Sequence, residues 1–212
     1  MTDCPCGKSE LDVFRPVDVQ VAMTEGKWSS YYPLNPLSST PGVIEFSIPG
    51  TSNEVIDMNN ISLYVRGKVL KTAPDTNLGA NDIPTILNNT FDSLFRHIDC
   101  SINGNLITRA SNDHAYKSYF MKLTQVDMPQ QGKGDAQLAL DGFSMDAPGA
   151  QNNAGTAGSG AKARLSLYKT SKDFELCGFP NVDLFQSDRA LIPNVDITLK
   201  FYLNDPAFLF SD

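Results

Sequence analysis

The sequence has little of what catalytic and metal sites usually require. It contains only two histidines, His97 and His114, and four cysteines in 212 residues. The histidines stand far apart, and a zinc site on Cys4 and Cys6 would need a second pair of thiols or imidazoles at ligand spacing. We therefore expect no catalytic residue, no cofactor, no metal site and no enzymatic activity.

Long hydrophobic runs are also missing. The longest apolar runs span only a few residues, whereas a helix that crosses a bilayer needs roughly 20. The N-terminus carries Asp3, Lys8 and Glu10 where a signal peptide would be apolar. We expect a chain that is neither inserted in a membrane nor secreted by a signal peptide, and whose cysteines are reduced thiols.

Basic residues are outnumbered. Lys and Arg total 17 against 24 Asp and Glu, which gives a formal net charge of -7. Binding to nucleic acid needs a concentration of basic side chains, and the sequence has no basic cluster, so we expect no direct contact with nucleic acid. The 41% of hydrophobic residues is enough for one sizeable core, and β-sandwich domains reach this length.

Alternation of apolar and polar residues predicts about eight strands. It is clearest in Val43 to Ile48, which ends at a Pro-Gly turn, and in Phe95 to Ile102, which runs into the hairpin signal Asn103-Gly104. Further alternating segments are residues 17–21 (an edge strand), 61–70 (irregular at Gly67), 105–109, 164–168, 173–177 and 195–203. This pattern favours an all-β Greek-key sandwich over an up-and-down barrel.

One short helix is predicted over residues 113–123, where apolar residues recur near the helical period. His114 would lie in its first turn with its imidazole facing solvent. On the strand 95–102, Ile98, Cys100 and Ile102 would point inward, and His97 would point outward as a surface or interface residue.

The domain organisation follows from these segments. Residues 1–24 read as an N-terminal arm, and residues 25–212 as a single domain. Residues 127–162 are rich in Gly, Ala and Asn, which predicts a flexible, exposed insertion. In the loop 183–194, Asp188 and Arg189 are able to form an ion pair, and this loop either packs locally or contacts another subunit.

Several motifs occur in one order along the chain. They are Ser9-Glu-Leu-Asp-Val-Phe14, Trp28 with Tyr32-Pro-Leu34, Ile44 to Gly50, Leu63-Tyr-Val65, Leu94 to Gly104, and Asp183 to Asn194. In this order they resemble the N-terminal half of the major capsid proteins of Polinton (Maverick) elements, adintoviruses and related small double-stranded DNA viruses. The resemblance extends from about residue 9 to about residue 204.

This resemblance implies a jelly roll, the first of two in the full-length family, and trimers that form pseudo-hexameric capsomers of an icosahedral shell. The implied partners are further copies of the chain, the second jelly roll and a minor capsid (penton) protein, and the implied location is the virion, assembled inside the host cell. Without the second half, Phe208 to Phe210 would be an exposed apolar end. We expect assembly contacts at Phe14, Trp28, Tyr31, Tyr32, Asp188, Arg189, Phe208 and Phe210.

Two alternatives remain open. Jelly rolls also serve as carbohydrate- or protein-binding modules, although the sequence has no Asp-x-Asp loop of the kind that would ligate calcium. The chain is alternatively a genomic remnant of an integrated viral element that no longer assembles. A metal enzyme of the cupin type would need more histidines than the two present.

Overall fold

A computed structural model describes residues 24–35, 42–71, 76–108, 111–125, 136–144, 146, 159–187 and 189–211. The chain divides into two compact units, residues 1–30 and residues 31–212. In the first unit, the described residues 24–30 are exposed and form neither helix nor strand. The rest of the expected arm, including the predicted strand at 17–21, lies outside the described residues.

The second unit is rich in antiparallel strands. Its strands are β1 Val43–Ile48, β2 Leu63–Gly67, β3 Thr85–Ile86, β4 Phe95–Ile102, β5 Asn105–Leu106, β6 Phe174–Gly178, β7 Ile197–Leu203 and β8 Phe210–Ser211. They form one four-stranded sheet in the order β1-β7-β4-β5 and two pairs, β2 with β6 and β3 with β8. The predicted strands at 43–48, 95–102, 173–177 and 195–203 are therefore confirmed.

Helices are more numerous than the sequence suggests. They are α1 Thr90–Ser93, α2 His114–Gln125, α3 Ala136–Leu140, α4 Ser159–Tyr168 and α5 Pro206–Leu209, and 3-10 turns cover Met58–Asn60, Lys169–Ser171 and Asp183–Gln186. Helix α2 confirms the predicted helix at 113–123. The expectation of a single short helix is wrong, and the fold is a mixed, sheet-rich one.

The hairpin between β4 and β5 follows directly from its sequence. Asn103 and Gly104 both have positive φ, 48° and 78°, as the two central residues of a type I′ turn require. The turn fixes the pairing of Ile102 with Asn105. Strand β4 also pairs with β7 along its whole length, with an irregularity between Phe95 and His97.

The main core lies on one face of the four-stranded sheet. Ile98 and Cys100 of β4 and the alternate residues of β7 point into it, as the alternation predicted, whereas Ile102 is only partly buried. The core also contains Met58, Phe91, Phe95, Leu176, Val182, Phe185, Ile197, Leu199 and Phe201. Phe95 and Phe201 form its aromatic centre, with ring centroids 5.0 Å apart.

The segment 164–168 is a helix, and its prediction as a strand is wrong. In a strand Leu165 and Leu167 would share a buried face, but Leu167 is exposed. A helix instead places Arg164 and Tyr168, four residues apart, on the same side. Both are buried against β3, where Arg164 Nε donates to the Ile86 carbonyl at 3.1 Å and the Tyr168 hydroxyl donates to the Pro84 carbonyl at 2.7 Å.

The predicted flexible insertion at 127–162 is wrong for the part that the structure describes. Helix α3 and the turn after it bury Leu138, Asp141 and Phe143, and α4 begins inside the same range at Ser159. The composition of this range did not predict these buried residues, because few residues of the range are large and apolar. Most of the remaining residues of the range lie outside the described ones.

Candidate functional site

Residues 24–35, named here the aromatic segment, expose large side chains. Trp28 is 76% exposed and Tyr32 82%, and Tyr31 is exposed as well, so these three predicted interface residues are accessible. Nothing in residues 24–33 forms a helix or strand. Phe14, the fourth residue predicted in this region, lies outside the described residues.

Strand β1 lies at an edge of the four-stranded sheet as far as the described residues show, and Leu34 and Asn35 already bond to part of its outer side. Among the described strands, β7 alone pairs with β1, and on the other side of β1 the Glu45 carbonyl accepts a 2.7 Å hydrogen bond from Leu34 N–H. The backbone carbonyl of Glu45 thus points away from β7. Because backbone groups alternate in direction along an antiparallel ladder, those of Val43 and Ser47 point the same way. A six-residue edge strand of this kind is a template for pairing with another chain.

The loop 183–194 is partly fixed by the core. Phe185 is buried, and Leu184 and Leu191 pack against the main cluster. Arg189 is exposed, whereas Asp188 lies outside the described residues, so the predicted ion pair between them stays a prediction. The contact of this loop with another subunit also stays a prediction.

The C-terminal residues pack on the domain. Phe208 and Phe210 are half-buried and Leu209 is buried, so the expectation of an exposed apolar end is wrong. Strand β8 pairs Phe210 with Ile86 of β3, and Phe208 makes an edge-to-face contact with Tyr116 at 5.8 Å between ring centroids. Phe208 and Phe210 thus have packing partners within the described residues.

Helix α2 faces the protein with polar side chains. His114, Ser118 and Lys122 are spaced by four residues, so they line one side of the helix. His114 is buried with Nε2 3.3 Å from Asp92 Oδ1, and its prediction as a solvent-facing imidazole is wrong. The first turn points inward because the buried carboxylate of α1 provides a partner there.

Lys122 is the centre of this buried network. Its Nζ lies 3.0 Å from Asp92 Oδ2, 2.7 Å from Asp141 Oδ2 and 2.7 Å from Asn89 Oδ1. Asn89 in turn donates from Nδ2 to Ser118 Oγ at 2.6 Å. The contacts with Asp141 and Asn89 are hydrogen bonds, and the contact with Asp92 Oδ2 is an ion-pair contact without hydrogen-bond geometry. Together they hold α2 in place.

The two carboxyl groups respond differently to their surroundings. Burial opposes the charge of Asp92, but the hydrogen bond from His114 and the charge of Lys122 outweigh it, so the pKa of Asp92 lies below its ordinary value. Burial dominates at Asp141 and raises the pKa of that carboxyl, although Lys122 acts in the opposite direction. One lysine thus lies between two buried acids, and only Asp92 has a pKa below its ordinary value.

The sequence reasoning missed this network. Its members come from α1, α2 and the turn after α3, and two of them, Asp92 and Asp141, are isolated acids in their local sequence. The only available signal was the spacing of His114, Ser118 and Lys122, which places three polar residues on one side of a helix.

The opposite face of the sheet carries a second pair of polar residues. His97 stacks on Tyr202 with ring centroids 3.9 Å apart, and its Nε2 lies 4.0 Å from Asp99 Oδ2. His97 points outward as predicted, but both side chains are mostly buried. The role of His97 as an interface residue stays a prediction. Among the described residues, no three His, Cys, Asp or Glu side chains are arranged to hold a metal ion.

A cleft of about 370 Å³ lies beside Lys122. Asn59, Asn60, Asn181 and Gln186 supply its polar lining, and Phe179 is among its apolar residues. Two of the amides already interact, since Gln186 Nε2 donates to Asn181 Oδ1 at 2.9 Å. The cleft therefore has few amide groups free for a ligand.

Comparisons of the chain with family models, with curated proteins and with solved structures found no match. Within the described ranges, none of the helices has the length and apolarity that crossing a bilayer demands.

Proposed function

We propose that the chain is a structural virion protein, the first jelly roll of a major capsid protein that self-associates into trimers and an icosahedral shell. Support comes from the order of its motifs, three of which coincide with strands. Ile44 to Gly50 overlaps β1, Leu63 to Val65 begins β2, and Leu94 to Gly104 covers β4 and its turn. A second jelly roll and a penton protein are partners within this proposal.

The observation that carries the proposal is the exposure of the aromatic segment. Trp28 and Tyr32 are each more than three quarters exposed, on a stretch of backbone without regular structure. Large aromatic side chains are the residues that most often supply binding energy at protein interfaces. A segment that presents them to solvent is suited to reach a neighbouring subunit.

The sheet edge supports the same conclusion. Shell proteins need repeated contacts between identical subunits, and an open edge strand offers backbone hydrogen bonds at every second residue. Strand β1 lies at an edge among the described strands, and the aromatic segment's last residues, Leu34 and Asn35, already bond to its Glu45 and Val43 carbonyls. Catalysis is not part of the proposal, and its mechanism is self-association.

The proposal is tested by size-exclusion chromatography with light scattering and by negative-stain microscopy of the purified chain. We expect mass to rise with concentration toward trimers or shell fragments. Deleting residues 1–24 is expected to leave the circular dichroism and the melting temperature unchanged and to weaken assembly. A chain that remains monomeric at all concentrations and binds a glycan array would instead support the binding-module alternative and refute the capsid proposal.

A further inference from the structure

Helix α2 buries three polar side chains and exposes three apolar ones, although its inner side also carries Ala115, which is buried, and Tyr119, which packs on Phe143. Its inner face carries His114, Ser118 and Lys122, which enter the buried network. Its outer side carries Tyr116 (58% exposed), Phe120 (63% exposed) and Leu123, at spacings of four and three residues. These three residues are named here the outer stripe.

The exposed apolar residues depart from the usual pattern of a solvated surface helix. A surface helix normally buries its apolar side and exposes its polar one. The outer stripe also continues onto α5, because Phe208 contacts the Tyr116 ring. A contiguous, exposed apolar surface is typical of a site where another protein binds.

We propose that the outer stripe of α2 is the docking surface for the aromatic segment of a second copy of this chain. This inference rests on the proposed self-association and names the two surfaces that meet. Trp28, Tyr31 and Tyr32 of one copy would pack against Tyr116 and Phe120 of the other.

The areas agree with a cyclic exchange in the proposed trimer. With about 200 Å² for each aromatic side chain, the exposed fractions leave about 240 Å² on Tyr116 and Phe120 and about 400 Å² on Trp28, Tyr31 and Tyr32. One contact would therefore bury at most about 640 Å², which is less than most specific interfaces. In a closed trimer each copy donates one segment and receives another, so two contacts with a total of about 1,300 Å² hold each copy.

The charges are also compatible. Residues Trp28 to Leu34 contain no charged side chain. On α2, two lysines are next to the outer stripe in sequence: Lys117 is paired with Asp183, and Lys122 is paired with Asp92 and Asp141. Docking would therefore leave no charge buried without a partner. Burying an unpaired charge is the main electrostatic cost of forming an interface.

Trp28 makes the test direct, because it is the only tryptophan in the sequence. Sedimentation velocity and tryptophan emission are measured on the full chain over one concentration series. We expect association to shift the emission to the blue and to reduce quenching by acrylamide, since Trp28 moves from water to an apolar surface. The variants are Phe120→Asp and the milder Phe120→Ser, with Leu167→Asp on α4 as the control at another exposed helical residue.

The Phe120 variants are expected to raise the dissociation constant at least about tenfold and to abolish the shift, while Leu167→Asp matches the wild type. Equal association of the wild type and the Phe120 variants would overturn the docking surface alone. A wild type that never associates would overturn both this inference and the proposed function. A blue shift that is independent of concentration would place the docking within one chain and would refute a second copy as the occupant.

Discussion

Replacing Lys122 with methionine is expected to be among the most destabilising single changes in this protein. Methionine keeps a similar stem but removes the ammonium group. The variant would leave Asp92, which is fully buried, and Asp141 without their shared cation, and Asn89 Oδ1 without a donor.

The magnitude follows from the burial of the network. The Lys122 side chain is 14% exposed and its two acidic partners are less exposed than that, so solvent replaces little of the lost interaction. Removing one partner of a buried ion pair costs about 3–5 kcal/mol, because an uncompensated charge stays inside. In a chain of this size, that corresponds to a fall of about 6–20 °C in melting temperature.

Lys117→Met provides the matched control on the same helix. Lys117 pairs with Asp183, but both side chains are well exposed, so its loss should cost at most about 1 kcal/mol. Urea unfolding followed by circular dichroism gives the free energies of unfolding of both variants. If Lys122→Met were no more destabilising than Lys117→Met, the buried network would not hold α2 as described.

The pH dependence gives a second test of the same variant. A raised pKa means that Asp141 favours folding in its protonated form, an advantage that is lost as the pH rises through its folded pKa. The lowered pKa of Asp92 has the opposite sign, since that contribution is lost as the pH falls below its ordinary range. The deficit of Lys122→Met should therefore shrink as the pH falls from neutral through the pKa of Asp141, since a neutral carboxyl needs no cation.

Two further predictions concern packing and thiol chemistry. Gly178→Ala would place a Cβ 2.6 Å from Phe91 Cδ1, so it should lower the free energy of unfolding, measured with urea, by about 1–3 kcal/mol. Gly42→Ala is the control, because its Cβ would have no atom within 4 Å, and its free energy of unfolding should stay within about 0.5 kcal/mol of the wild type. Burial raises the pKa of the Cys100 thiol to about 11. Mass spectrometry after brief alkylation at neutral pH should therefore show Cys177 modified before Cys100. Equal alkylation rates for Cys100 in the native and the unfolded chain would contradict its burial.

Local patterns were sufficient where an element depends on its own residues. The alternation of Val43 to Ile48 and of Phe95 to Ile102 produces β1 and β4, because one face of each strand packs on the core. Asn103-Gly104 specifies its turn because both residues accept positive φ. The sequence alone also placed α2, whose start and period are visible without knowledge of its partners.

Only the tertiary structure decided the elements whose partners are distant in sequence. Residues 164–168 alternate like a strand, yet they form a helix because Arg164 donates to the Ile86 carbonyl of β3 and the Tyr168 hydroxyl accepts from Ile86 N–H. Lys122 belongs inside and Phe120 outside, although hydropathy predicts the reverse, because Asp92 and Asp141 come together only in the fold. The spacing of apolar residues predicts a helix, but it does not predict which side of that helix packs on a buried charge. The side that is buried determines where this chain exposes its apolar surface.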